Sequence, residues 1–254
     1  MRLLYGVYVL VIALPIILVS TILTALITII GSVLGNPNYW GYIPGKYWSK
    51  TICTVLFIPV KVKGRENLDK NKSYVFVANH QGMFDIFLIY GYLHRNFKWM
   101  MKKGLRKIPF VGKACEKAGH IFVDRSGPQK VKQTITQAQE TLQNGVSVVI
   151  FPEGARTFTG HMGYFKRGAF QLANDLGLDV VPLTINGSFN ILSRTDKFIK
   201  RHKLTLTIHE PIAYKEPGAK AIKATLGEAY KSVESGLVEE YKGMVVNDDQ
   251  EVVD

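Results

Sequence analysis

Residues Tyr74 to Leu93 read YVFVANHQGMFDIFLIYGYL. The opening YVFVA is a short apolar run rich in β-formers and reads as a strand, whereas Ile86 to Leu93 is continuously apolar and reads as a helix. Between them, Asn79-His80-Gln81-Gly82-Met83-Phe84-Asp85 occupies a strand-to-helix turn. Open α/β sheets place ligands at the carboxyl ends of their strands, where a helix N-terminus also presents unpaired backbone N–H groups. Gly82 permits a tight backbone path that a side chain would obstruct. Read singly, Asp85 is as well explained as a helix cap favoured by the macrodipole, and His80 alone calls for no chemistry. Read together, they form a known device. A carboxylate that accepts Nδ1–H leaves Nε2 free to take a proton and stabilises the resulting imidazolium. The turn contains no Ser or Cys nucleophile, which favours direct attack by a substrate hydroxyl over an acyl-enzyme.

Outward from this turn the same alternation repeats. Val146 to Phe151 is followed by a helical Ala169 to Leu176, and then by a strand-like Val180 to Ile185. This is the α/β pattern, with strands and helices alternating along the chain. Lys130 to Leu142 carries Val131, Ile135, Ala138 and Leu142 at helical spacing, with Asn144-Gly145 placed as a C-cap. Lys203 to Ile208 alternates polar and apolar residues as a half-exposed strand does, and a final helix is expected from about Ala219 to Tyr241. No repeat or low-complexity linker interrupts the chain. The expected organisation is therefore a membrane-anchoring segment at 1–60, one catalytic domain at 61–244, and a disordered acidic tail at 245–254.

The anchor expectation rests on Leu3 to Leu34, LLYGVYVLVIALPIILVSTILTALITIIGSVL, in a stretch with no charged residue from Leu3 to Gly45. A helix rises about 1.5 Å per residue and a span takes about 20 residues, so the run suits one tilted span or a helical hairpin in one leaflet. Pro15 is placed to kink it, and Gly31, Gly35, Asn36 and Pro37 to end it. It is too long, and lacks the cleavage pattern, for a secretory signal. Tyr39, Trp40, Tyr42, Tyr47 and Trp48, followed by Lys46 and Lys50, read as an interfacial belt on the cytoplasmic side. The expected location is the inner, cytoplasmic membrane with the catalytic domain facing the cytoplasm.

The 32 Lys and Arg against 20 Asp and Glu give a net charge of +12, which points to an anionic partner. Between Arg95 and Lys132, eleven basic residues accompany only Glu116 and Asp124, so the field is local. Cys53 and Cys115 fit neither a disulfide framework nor a metal-ligand spacing and read as buried free thiols in a reducing compartment. No second His or Cys stands at ligand spacing from His80, which argues against a zinc hydrolase.

Three further blocks follow the first. Lys102-Lys103-Gly104-Leu105 leads through Ile108-Pro109-Phe110-Val111-Gly112 to Gly119-His120-Ile121-Phe122-Val123-Asp124-Arg125. Phe151-Pro152-Glu153-Gly154-Ala155-Arg156-Thr157 comes next, and then Val180 to Ile185. In this order the motifs, from about Val62 to Pro211, resemble the glycerolipid acyltransferase superfamily, and within it the 1-acyl-sn-glycerol-3-phosphate (lysophosphatidic acid) acyltransferase family. The first motif of that family is His, four residues, Asp. Two departures stand out, Gly104 where Glu is common and Ala155 where Thr is common.

The resemblance implies a glycerol-3-phosphate acyltransferase-like fold, a mixed, largely parallel sheet flanked by helices, with the N-terminal apolar anchor added. It implies transfer of an acyl group from acyl-CoA or acyl-carrier protein to a lysophospholipid acceptor at the bilayer, with no cofactor, metal or nucleic acid. His80 and Asp85 are the implied catalytic pair. Arg125, Glu153, Gly154 and Arg156 are assigned to the acceptor's phosphate and glycerol, with Lys102, Lys103 and Lys166 in support. Physically, Arg125 and Arg156 offer planar forks of donors that match phosphate oxygens, although Arg125 could equally pair with Asp124. Glu153 could accept from a glycerol hydroxyl or hold an Arg, and Gly154 lets the backbone approach the substrate. Other readings are a same-fold enzyme acting on another lysolipid or an acyl-amino-acid lipid, and a non-catalytic basic membrane adaptor.

Overall fold

The computed structural model describes residues 2–123, 127–142 and 145–243. The β-forming runs build a seven-stranded sheet from β1 (Val60–Lys63), β2 (Val75–Ala78), β3 (Phe97–Lys102), β4 (Ile121–Val123), β5 (Ser147–Ile150), β6 (Val180–Asn186) and β7 (Leu204–Ile208). Their order is β1-β7-β6-β2-β5-β3-β4. Strands β4, β3, β5, β2 and β6 run parallel, β7 pairs antiparallel with β6, and β1 joins β7 in parallel. The expected mixed, largely parallel sheet is therefore present. Every residue of β2, β5 and β6 is buried, as parallel strands covered on both faces must be. Toward the β1 edge, β7 alternates buried with half-exposed residues.

Side chains alternate across β2 and divide two cores. Phe76 and Ala78 join the core that includes Leu88 and Ile89 of α5 (Phe84–Tyr92) and Ile52 of α4 (Ile43–Val55). Val75 and Val77 join the core under α7 (Pro128–Thr141), α8 (Gly168–Leu176) and α10 (Ala219–Ser235). The last helix ends at Ser235, six residues before the expected Tyr241, and only a 3₁₀ turn at Glu239–Tyr241 follows. A tertiary contact stops it. A Cβ at Gly236 would lie 2.5 Å from Thr184 Oγ1, and Asn186 donates to the Gly236 carbonyl and accepts from Val238 N–H. The expected acidic tail and the cap at Asn144 lie outside the described residues.

The N-terminal run forms one continuous helical rod rather than a hairpin. It consists of α1 (Arg2–Tyr8), a π-helical turn at Val9–Ala13, and α2 (Leu14–Leu34). The π turn lies just ahead of Pro15, whose ring crowds the carbonyl four residues back; widening the preceding turn accommodates it. At Gly35 the chain reverses through α3 (Pro37–Trp40), capped by the Asn36 side chain, into α4. Helix α4 returns alongside the rod. The Trp48 indole donates to Thr21 Oγ1 at 2.9 Å, and the hydroxyls of Tyr8 and Tyr5 donate to the carbonyls of Val55 and Leu56. Only 11% of the rod's most apolar window is buried, and its mean hydropathy is 2.8. A surface that apolar suggests membrane association.

The five aromatics do not form one belt. Tyr39 and Tyr47 are exposed, but Tyr42 is buried and stacked on Tyr90, Trp48 is drawn onto the rod and Phe87, and Trp40 fills the space left by Gly31 and Gly35. Both cysteines are free. Cys53 is buried as expected, whereas Cys115 is only partly so, and burial pushes the thiols up to about 12 and about 11.

Candidate active site

The turn after β2 is tied to both neighbouring strands. Where β2 stops, the Asn79 side chain continues its ladder to β6, donating to Ile185 O at 2.9 Å and accepting from Ile185 N–H at 2.8 Å. Gln81 Nε2 donates to the Gly160 carbonyl at 3.0 Å. His80 between them is held from the β5 side. Its N–H donates to Glu153 Oε1 at 2.7 Å, its carbonyl accepts from Thr157 N–H at 3.0 Å, and its ring stacks on Phe151 with centroids 3.9 Å apart and planes 10° from parallel.

His80 Nδ1 lies 2.7 Å from Asp85 Oδ2. The Asp85 side chain is completely buried, and the same oxygen accepts Gly82 N–H at 2.9 Å. One oxygen thus serves both the histidine and the turn; α5 itself has Met83 at its N-cap and no side-chain cap, so Asp85 pairs with His80 rather than capping the helix. A carboxylate in the first turn of α5 is favoured by the helix field, and with Asp85 ionised the Nδ1 position carries the proton. Nε2 has no protein partner among the described residues, and 15% of the ring side chain remains exposed. Gly82 is required by packing: a Cβ there would stand 2.6 Å from Ser188 Oγ and 2.8 Å from the Ser188 carbonyl.

Glu153 sits on the turn after β5, with its second oxygen accepting Gly163 N–H at 2.9 Å. Each carboxylate oxygen therefore holds a backbone amide, and no Arg reaches it among the described residues. Burial pushes its pKa up to about 8, further raised by the Asp85 charge and opposed by the two amides. Gly154 turns the chain at φ +80°, donating to the Phe151 carbonyl, and lies against the Lys166 side chain, whose Nζ would be 3.5 Å from an added Cβ. Lys166 N–H in turn donates to the Pro152 carbonyl at 3.0 Å. Arg156 is partly buried and forms no ion pair among the described residues.

Because β2, β5 and β3 are adjacent and parallel, their carboxyl ends align the His80 turn, the Glu153–Arg156 turn and Lys102 along one sheet edge. Lys102 and Lys103 are exposed there. Arg125 lies outside the described residues. Phe151, Asn79, Gln81 and Thr157, which orient the histidine, were not singled out by sequence for that role. All four lie inside the quoted motifs, Asn79 and Gln81 in the first and Phe151 and Thr157 in the block after β5, but motif membership does not say what each one holds.

A family model described as Acyltransferase matches residues 59–186, just over half the chain, from the start of β1 to the end of β6. The chain is 34% identical over 169 residues to the chloroplastic 1-acyl-sn-glycerol-3-phosphate acyltransferase of Arabidopsis thaliana, covering 66% of this chain and 47% of that protein. With the 1-acyl-sn-glycerol-3-phosphate acyltransferase of Saccharomyces cerevisiae it shares 28% over 218 residues, 85% of this chain and 70% of that one. It spans about half the length of the first curated relatives it matches. The crystal structure of the 1-acyl-sn-glycerophosphate (LPA) acyltransferase PlsC from Thermotoga maritima superimposes with a TM-score of 0.75 at 27% identity, covering 92% of this chain and 97% of that one.

Proposed function

The chain belongs to the acyltransferase family, and from that premise we propose that it transfers a fatty acyl group from an acyl thioester to the sn-2 hydroxyl of 1-acylglycerol-3-phosphate. The product is phosphatidic acid, for phospholipid biosynthesis. The observation that carries this reading is the 2.7 Å contact of His80 Nδ1 with the buried Asp85 carboxylate, which leaves Nε2 without a protein partner among the described residues. The relatives named above supply the acceptor.

In this mechanism Nε2 of neutral His80 takes the proton of the acceptor hydroxyl as that oxygen bonds to the thioester carbonyl carbon. Asp85 keeps the proton on Nδ1 and stabilises the imidazolium. The tetrahedral intermediate then expels sulfur as a thiolate, which recovers the proton from Nε2, so His80 ends neutral. No acyl-enzyme, metal or cofactor takes part. The phosphate of the acceptor meets Arg156 and Lys166, with Arg125, Lys102 and Lys103 adding positive charge; a guanidinium grips phosphate in two bonds where an ammonium acts as a point charge. Glu153 and Gly154 shape the floor of this acceptor site. The donor is acyl-CoA or acyl-carrier protein, and the apolar rod holds the site at the cytoplasmic face of the inner membrane, the side favoured by Lys46 and Lys50 just beyond the rod.

The test is an assay of the purified full chain with both donors against a panel of lysolipids. Phosphatidic acid should form from 1-acylglycerol-3-phosphate, and His80→Ala should abolish it while vesicle binding persists. Turnover of a different lysolipid with none of this acceptor refutes the substrate, and full activity of His80→Ala refutes the mechanism.

A further inference from the structure

The segment between β3 and α6 (Val111–Lys117) contains Leu105, Ile108 and Phe110, which the described structure leaves 44%, 44% and 53% exposed. Three large apolar side chains within six residues are more than the single exposed residues that surfaces normally carry. They alternate with Lys102, Lys103, Arg106 and Lys107, all on the exposed surface, in a chain of net charge +12.

The backbone fixes this display. Ile108 N–H donates to the Leu105 carbonyl, Val111 N–H to Pro109, Gly112 N–H to Ile108, and Ala114 N–H to Phe110. Gly112 packs so closely on the Arg106 carbonyl that a Cβ would overlap it, and Phe110 is held at φ +58°. A positive φ is unfavourable for a bulky side chain and persists only where the surroundings enforce it. Here the segment satisfies its own polar groups, and its apolar side chains are left pointing out of the fold.

We propose that Leu105, Ile108 and Phe110 form a second bilayer contact, inserting into the headgroup region of an anionic lipid surface while Lys107 binds its phosphates; Arg106, stacked on Phe122 and 3.9 Å from Glu116, adds to the positive field. Two observations choose lipid over another occupant. The basic residues around the patch complement anionic headgroups, and α6, which follows immediately, packs against α2, so the patch is carried next to an element docked on the apolar rod. The inference rests on reading Leu3–Leu34 as membrane-associated. It goes beyond that by assigning a bilayer contact to the end of β3, beside Lys102 on the edge that carries His80. Attachment at the rod and at this segment restrains the tilt of the domain, so the site mouth faces the headgroup plane.

The experiment uses the full chain with Cys115→Ala and buried Cys53 retained. A nitroxide is placed singly at Ile108→Cys or Phe110→Cys, at Leu18→Cys on the rod, and at the exposed Lys223→Cys on α10. On vesicles containing phosphatidylglycerol, labels at 108, 110 and 18 should collide more often with oxygen than with a water-soluble nickel chelate, and the label at 223 should show the reverse. On purely phosphatidylcholine vesicles, the preference for oxygen at 108 and 110 should weaken. Water-like ratios at 108 and 110 with a lipid-like ratio at 18 overturn this inference and leave the rod's membrane role intact. Water-like ratios at all four positions overturn both. Dipolar broadening between labels at 110, in detergent and on vesicles alike, assigns the patch to a second copy of the chain and overturns the lipid assignment.

Discussion

Glu153→Gln keeps the shape of a side chain and removes one of its two acceptors. Oε1 and Oε2 receive the amides of His80 and Gly163 at 2.7 and 2.9 Å, and a carboxamide can serve only one, leaving the other N–H facing an –NH₂. An unsatisfied buried donor costs about 1–3 kcal/mol. Against this stands the ionisation of the carboxyl group itself, raised by burial from 4.5 to about 8. In the unfolded chain Glu153 loses its proton near 4.5, in the folded chain only near 8. Across that window the folded state binds the extra proton, so the group's stabilising contribution is complete below 4.5 and is lost as pH rises through 8. Each pH unit of the window is worth at most about 1.4 kcal/mol. The glutamine variant has no such slope. Its stability deficit, measured by urea unfolding in detergent, should therefore be largest near pH 5 and shrink toward pH 8. Turnover should fall through kcat more than KM, because one of the two amides held by this side chain is that of His80, and a misplacement of about 1 Å can cost about 100-fold. A deficit independent of pH between 5 and 8, or an unchanged kcat, refutes the assignment of Glu153 as the support of the histidine.

Asp85→Asn should lower kcat by as much as about 10⁴-fold, the loss known for a triad carboxylate replaced by its amide, with vesicle binding unchanged; acyl transfer and flotation assays check the two halves. Gly154→Ala places a Cβ where φ is +80°, which costs about 1–2 kcal/mol and lowers the Tm. Because this backbone is proposed to shape the acceptor site, the acceptor KM in steady-state acyl transfer should rise more than kcat falls. Lys98 is fully buried in β3 and donates to the Ala118 carbonyl at 2.7 Å, and burial lowers its pKa from 10.5 to about 8. Between those values the unfolded chain binds more protons, so stability should rise with pH from 8 to 10.5. Lys98→Met should abolish that rise in chemical denaturation.

The strand, turn and helix of residues 74–93 were legible because periodicity, glycine placement and the His-to-Asp spacing agree there. Strand β3 was not. Phe97–Lys102 carries Lys98 at its second position, and basic residues in that region read as surface field, yet this ammonium is folded inward onto the end of α6. Arg95 is buried for a related reason, donating to the Lys72 carbonyl. The overrun of the last helix has a similar origin: Leu237 and Tyr241 continue an apolar pattern, while the chain after Gly236 is taken up by tertiary bonds of Asn186 to the Gly236 carbonyl and the Val238 N–H. Pro15 announced a disturbance in the rod, but no local rule distinguishes a kink from a π turn. At the site, the His80–Asp85 pair is local, five residues apart, and so was readable. The Glu153 contact joins residues 73 positions apart at the ends of neighbouring strands, and only the sheet order brings them together.

That sheet order also explains why one histidine can be so firmly placed on a short turn. Strand β2 lies between β6 and β5, so the turn that follows it has a neighbour on each side: Asn79 takes the β6 main chain, and Glu153, Thr157 and Phe151 approach from the β5 side. Asp85 is fixed from a third direction, by α5. That helix packs on α4 through Gly45, which abuts the Tyr90 ring, and through Trp48 against Phe87, while Trp48 also bonds the apolar rod at Thr21. The Asp85 carboxylate and the apolar rod are therefore joined through two layers of direct side-chain packing, without an intervening flexible linker. A chain built this way does not dock a mobile catalytic domain onto a tether. Under the function proposed above, such packing would hold the His80–Asp85 pair at a set height and angle to the lipid surface, as needed when the hydroxyl to be acylated belongs to a molecule anchored in that surface by its own acyl chain.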